Sequence, residues 1–304
     1  MMDCTVRVFR FGLVLGALLA ACVAYGKSIV PTSVEPIDYA VVKLRSAGIS
    51  EGLISTVKQF HVPEERDWIV EMNVLGFLGK ADYSAHLSHD AIRKCREFIS
   101  AHHRQLVRVE KRSGVPKEVI AALLWVETKH GRHIGSHKVG HVYFSLLQAD
   151  HPEVLKSTMI RLLNRAPAQA AETRQKVIDR SIAKSNWALI ELRSLDAIQK
   201  SGRGSARDLV GSYAGAFGIP QFIPSSYLQW ARPGLKARHA DLFKMDDAIQ
   251  SVAFYLKANG WKRKDQASHR SALLHYNRAQ GYVDVILRIA QCVKAQGEKC
   301  SPSA

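Results

Sequence analysis

Glu127 stands where a sequence favours acid chemistry. Leu124, Leu123 and Ile120 lie three, four and seven residues before it, so on a helix opened by Pro116 they share its face. At the C-terminal end of that apolar stripe, partial loss of water and the negative helix end both favour the protonated carboxyl. A carboxylic acid that keeps its proton near neutral pH is what protonation of a glycosidic oxygen requires. A helix-end carboxylate paired with Lys129 or Arg132 fits the same residues. A second stretch, 211–227, gathers Gly211, Gly215, Gly218, Pro220 and Pro224 around Tyr213, Phe217, Phe222 and Tyr227. Glycine admits positive φ and close approach to the backbone, and proline removes donors, so neither an ordinary helix nor a ladder strand is expected there. Such a run is either a turn between helices or the rigid wall of a groove for a polar, flat-faced ligand. In the second case its aromatics can stack on sugar faces.

The elements that must position these residues are helical. Apolar residues recur at helical spacing from 38 to 60 and from 90 to 111, with a looser section between 68 and 89. Ser113-Gly114-Val115-Pro116 breaks the chain and opens the helix that runs to about Thr128 and stops at Gly131. Short helices around 154–163 precede a long amphipathic stretch from 172 to 199, closed by Gly202 and Gly204. Helical patterns return at 246–259 and 269–293, and strand patterns are nearly absent. The fold class is therefore mainly α.

The chain has 304 residues, 47% hydrophobic and 23% charged, as in a soluble globular protein with ample length for a core. Its net charge of +16 comes from dispersed Lys and Arg. Dispersed charge suits an extended polyanion or an anionic surface rather than a sequence-reading nucleic-acid module, and no zinc-finger, RRM or KH signature is present. Arg7 and Arg10 precede a short apolar run from 11 to 25, the pattern of an export signal. Within it Leu19-Ala20-Ala21-Cys22 resembles a bacterial lipobox, so Cys22 is either lipidated, anchoring the protein to the outer membrane, or removed by cleavage after Ala24 or Gly26. The periplasm is the expected compartment. Of the remaining cysteines, Cys292 and Cys300 are close enough in sequence to staple the C-terminus, and Cys95 sits in a helical pattern as a buried thiol.

Val115-Pro116, Val126-Glu127-Thr128 and Gly131-Arg132, followed by Gly211-Ser212-Tyr213-Ala214-Gly215-Ala216-Phe217-Gly218-Ile219-Pro220-Gln221-Phe222-Ile223-Pro224-Ser225-Ser226 and by Tyr276-Asn277, resemble the lytic murein transglycosylases of the membrane-bound B type. The resemblance runs from about 91 to 289, more loosely from about 49. It implies a lysozyme-like α-helical catalytic domain over 106–300 with an N-terminal helical extension at 38–105, after a leader at 1–26 and a tether at 27–37. It also implies non-hydrolytic cleavage of peptidoglycan glycan strands between N-acetylmuramic acid and N-acetylglucosamine; no cofactor is expected, and an exported chain without nucleic-acid signatures is expected to have no nucleic-acid partner. By position, Glu127 falls on the family's single catalytic acid/base, Ser212 on the serine near that acid, Gln221 on a groove-lining glutamine, and Tyr276 and Asn277 on the pair facing the cleft. Tyr213 and Phe222 join them as candidate sugar contacts. A non-catalytic wall-binding protein using the same groove is the alternative.

Two departures stand out. Leu124-Trp125 occupies the place where the family usually has Trp-Gly, which puts a large ring beside the acid. The segment 230–238 is basic and lacks the alternating oxygen ligands of a calcium loop, so no calcium is expected there. His130, His133, His137 and His141 form the best metal candidate, but Gly131, Gly135 and Gly140 interrupt any helix that would align them. A solvated basic loop is the expected reading, with no metal.

Overall fold

The computed structural model describes residues 34–79, 82–234 and 237–295. Glu35 onward forms one compact unit. Its helices are α1 (Pro36–Ser46), α2 (Glu51–Gln59), α3 (Pro63–Val74), α4 (His89–Ala101), α5 (His103–Ser113), α6 (Lys117–Thr128), α7 (Val139–Leu146), α8 (Pro152–Arg165), α9 (Ala170–Lys200), α10 (Pro224–Trp230), α11 (Met245–Ala258), α12 (Gln266–Tyr276) and α13 (Gln280–Lys294). The expected leader with Cys4 and Cys22, and Cys300, lie outside the described residues.

α6 is the core of one half. All but two of its residues, Lys117 and Glu127, are buried, the pattern of a helix packed on every side. It packs against α4, α5, α11 and α13. The other half is built on α9, whose 31 residues span roughly 45 Å at the helical rise. α3, α7, α8 and α10 pack along it, and α2 packs on α7. Between the halves runs the irregular chain that forms the site. β1 (His137–Lys138) pairs antiparallel with β2 (Val210–Gly211), with His137 opposite Gly211.

Several boundaries differ from the periodicity. The stretch 269–293 is two helices, because Asn277 turns extended (φ −146°, ψ 124°) and its Oδ1 accepts from Ala279 N at 3.1 Å. The stretch 90–111 breaks at His102, and 38–60 breaks after Ser46, where Gly48 takes φ +74°. The looser section is partly ordered: Pro63 opens a regular helix that includes Trp68. α1 begins at Pro36, inside the expected tether, with proline in its favoured first-turn position. The glycine-rich run does enter a ladder, because Gly211 pairs with His137 on one side and bridges Phe217 on the other, while Phe217 also bridges Phe222. Its prolines stay out of these pairs, and Pro224 starts α10. Cys95 is a free buried thiol, pushed up to about 12 by burial, and Cys292 is disulfide-bonded.

Candidate active site

Glu127 sits in the last turn of α6, after Ile120, Leu123 and Leu124, all fully buried. Although Glu127 as a residue is only partly buried, desolvation of its carboxyl by the surrounding protein raises it from the ordinary 4.5 to about 7, and a hydrogen bond from Tyr282 opposes that rise. The Tyr282 hydroxyl donates to Glu127 Oε1 at 2.5 Å. Tyr282 and Tyr276 are themselves held well above the phenol range by burial and then by the Glu127 charge, so both are neutral donors. Among the described residues Glu127 makes no ion pair. Lys129 instead lies 2.9 Å from His86 Nδ1 and 4.4 Å above the Trp125 ring, so the alternative pairing with the acid is not made.

Beyond Thr128 the chain turns sharply. Lys129 (φ 51°), His130 (φ 57°) and Gly131 (φ 88°) are all left-handed, a run unusual for non-glycine residues. The buried Thr128 hydroxyl holds the turn: it donates to Ile219 O at 2.8 Å and accepts from Gly131 N at 2.9 Å. One side chain thus ties the acid helix to the glycine-rich loop. Tyr276 adds a second tie, donating to Pro220 O at 2.5 Å.

The loop is shaped by close approaches that only glycine permits. A Cβ on Gly135 would lie 2.1 Å from Gly211 O, and one on Gly211 would lie 2.0 Å from Ala216 O. Ser212 N donates to Ala216 O at 2.8 Å, and Ser212 Oγ accepts from Ala216 N at 3.3 Å. Ser212 has no hydrogen bond to Glu127 among the described residues. Gln221 adopts φ 53°, and its Nε2 donates to Gly218 O at 2.9 Å and Ile134 O at 3.1 Å. Asn277 braces the α12–α13 junction and donates to the Tyr83 hydroxyl at 3.3 Å. Tyr213 is exposed, whereas Phe217 and Tyr227 are core residues.

Phe222 is a correction. It is only 2% exposed and packs against Tyr255 and Tyr276, at ring separations of 5.6 and 5.8 Å, so it supports the loop and does not reach a ligand. Trp125 is also buried, and two residues before Glu127 on a helix it lies on a different face from the acid. The four candidate metal histidines do not converge on a shared site. His130 stacks on Phe98, His137 stacks on Trp68, and His141 lies 3.3 Å from His61 between ring nitrogens. No group of three or more His, Cys, Asp or Glu side chains among the described residues is placed to hold a metal ion.

Sequence reasoning missed Tyr282. Its signal was a tyrosine in the first turn of an apolar helix, where a buried hydroxyl must find a partner. It also missed Glu191, a buried α9 carboxylate that accepts from Ser225 N at 2.9 Å and Ser225 Oγ at 2.8 Å, capping α10 directly after the loop.

An acid helix in a mainly α, lysozyme-like fold, tied to a glycine-rich loop, defines the class. The chain belongs to the Transglycosylase SLT domain family, whose sequence model matches residues 79–280. It is 27% identical over 182 residues to membrane-bound lytic murein transglycosylase B of Escherichia coli (strain K12), a match covering 60% of this chain and 42% of that protein, so the chain spans less than half the length of that curated relative. Its fold matches soluble lytic transglycosylase SltB1 of Pseudomonas aeruginosa with a TM-score of 0.62 at 19% identity, over 85% of this chain and 97% of that one. It also matches Pseudomonas aeruginosa SltB3, solved in complex with NAG-anhNAM-pentapeptide, with a TM-score of 0.63 at 18% identity, over 85% and 78% of the two chains. At these identities the structural likeness shows the fold.

Proposed function

We propose that this protein is a lytic transglycosylase that cleaves peptidoglycan between N-acetylmuramic acid and N-acetylglucosamine without water, leaving 1,6-anhydro-N-acetylmuramic acid ends. The observation that carries the reading is Glu127: a carboxyl raised to about 7 by burial, with a phenol donor on Oε1. Glycosidases that use water normally need two flanking carboxylates. With one, the substrate supplies the other function. Protonated Glu127 gives its proton to the glycosidic oxygen as the bond from muramic C1 breaks. The muramic acetamido oxygen stabilises the positive C1, and the C6 hydroxyl then attacks C1 and yields its proton to the Glu127 carboxylate. An intramolecular nucleophile has an entropic advantage over water. Tyr282 steadies the carboxylate between the two transfers, and Ser212, Tyr213, Gln221, Tyr276 and Asn277 are the candidate sugar contacts. Family membership, the match to the murein transglycosylase and the anhydromuramyl ligand of the SltB3 structure support the substrate class.

The export pattern supports the periplasm as the compartment, with Cys22 as the candidate lipid-attachment residue. The test of the chemistry is mass spectrometry of digested murein. Wild type is expected to release anhydro products, and Glu127→Gln is expected to lose activity by about 10²-fold or more. Hydrated ends, or a Gln variant of near-normal activity, would overturn the mechanism.

A further inference from the structure

Most aromatics near the loop are packing residues, which makes the exceptions informative. Among the described residues Tyr213, Trp68 and Phe243 are the most exposed aromatics, at 40%, 39% and 36%. Two of these three touch. Trp68 on α3 and Tyr213 on the loop meet edge to face, with ring centroids 5.7 Å apart at 70°. Trp68 also stacks on His137 of β1, with centroids 5.5 Å apart and planes 24° apart. A ring that is covered by a histidine and still more than a third exposed offers solvent a flat apolar surface with a polar N–H at its edge. Scattered single exposed aromatics need no explanation, but an adjoining pair on a wall already shaped by close glycine packing does.

The cluster is held rigidly. Asn73 Nδ2 donates to Tyr213 O at 3.0 Å and to Ile69 O at 2.9 Å, which fixes the loop backbone to α3 one turn beyond Trp68. Arg180 of α9 donates to Val74 O at 2.7 Å and Asn73 O at 3.1 Å, securing the end of α3. His137 is set by its pairing with Gly211. Three separate elements therefore present the rings at a fixed angle, and little ordering is left for a ligand to impose.

We propose that Trp68 and Tyr213, backed by His137, form a stacking platform for an N-acetylhexosamine ring of the glycan strand, extending the cleft past Ser212. A pyranose has apolar C–H faces and a polar rim, which complements an indole and a phenol at a fixed angle. The occupant is assigned to the glycan strand because the platform stands on the glycine-rich loop itself: Tyr213 directly follows Ser212, and His137, which backs Trp68, pairs with Gly211. Trp68 and Asn73 both precede residue 79, where the family match begins, so this contact belongs to the N-terminal extension of this chain. The platform rests on the glycan-cleaving reading above.

A binding measurement separates the two readings, because it needs no cleavage. Chitohexaose binding to the full chain carrying Glu127→Gln is measured by calorimetry, alone and with Trp68→Ala, Trp68→Phe or Tyr213→Ala added. Affinity is expected to fall about tenfold with Trp68→Ala, comparable to other alanine losses at stacking aromatics. It should fall in the same direction with Tyr213→Ala and largely return with Trp68→Phe, which keeps a flat ring. Unchanged affinity in the Ala variants, or no chitohexaose binding by the parent, would overturn the platform. Failure of the wild type to cleave murein would instead overturn the transglycosylase reading and leave the binding result standing.

Discussion

The helix that carries Glu127 and the loop beside it handle water in opposite ways. α6 excludes water with side chains: Ile120, Leu123 and Leu124 are fully buried, and the same burial that builds the core raises the acid. The loop from Gly211 to Gln221 excludes it through its glycines, packing Gly211 on the Ala216 carbonyl, Gly215 on the Tyr143 ring and Gly218 on Leu242 at distances no Cβ could share. In the first region the raised carboxyl is a by-product of packing, tuned by one phenol. In the second, shape is specified by the absence of side chains, and polar groups such as Gln221 Nε2 are largely consumed in holding that shape. The proposed chemistry and the proposed positioning thus fall to different materials, joined at Thr128 and Tyr276.

Substitutions should separate the two. Gly135→Ala has the largest expected effect, because its Cβ would overlap Gly211 O at φ +87° and force β1 from β2; a loss of roughly 3 kcal/mol or more is expected in denaturant unfolding. A near-normal midpoint would mean the loop is not set by close backbone packing. Thr128→Val attacks the joint, leaving Ile219 O without its donor and Gly131 N without its acceptor; about 1–3 kcal/mol of stability is expected to go, with activity falling as the loop detaches from the acid. Tyr282→Phe is the finest probe. Its hydrogen bond lowers the Glu127 pKa, so its loss should move the alkaline limb of the rate profile to higher pH with little change in melting temperature. A shift to lower pH would assign the phenol the opposite role.

The acid was legible in the sequence because helical spacing reports a shared face, and α6 runs close to the span that Pro116 and Gly131 bracket. Its partner was not, because Tyr282 is 155 residues away and a hydroxyl in an apolar helix does not reveal which group it meets. The glycines announced a loop, but the ladder through Gly211 depends on His137, a distant residue in a connection with no strand pattern of its own. The aromatics divided in a way that composition could not resolve: Phe222 turned inward while Tyr213 stayed out, a choice fixed by Tyr255 and Tyr276 on one side and Asn73 on the other. Breaks at His102 and Asn277 escaped because helical periodicity continues across each junction.

The most direct measurement is the titration of Glu127 itself, followed through the carbon shift of its labelled carboxyl, with Glu127→Gln to assign the signal. Desolvation of the carboxyl, only partly offset by the Tyr282 hydrogen bond, predicts a midpoint near 7. The folded protein would then hold a proton that the unfolded chain releases near 4.5, so stability associated with this group is complete below 4.5 and declines as pH rises through 7, and Glu127→Gln should remove that decline. A midpoint near 4.5, with no difference between the two proteins in the pH dependence of stability, would contradict the claim that packing holds this acid ready to protonate a glycosidic oxygen.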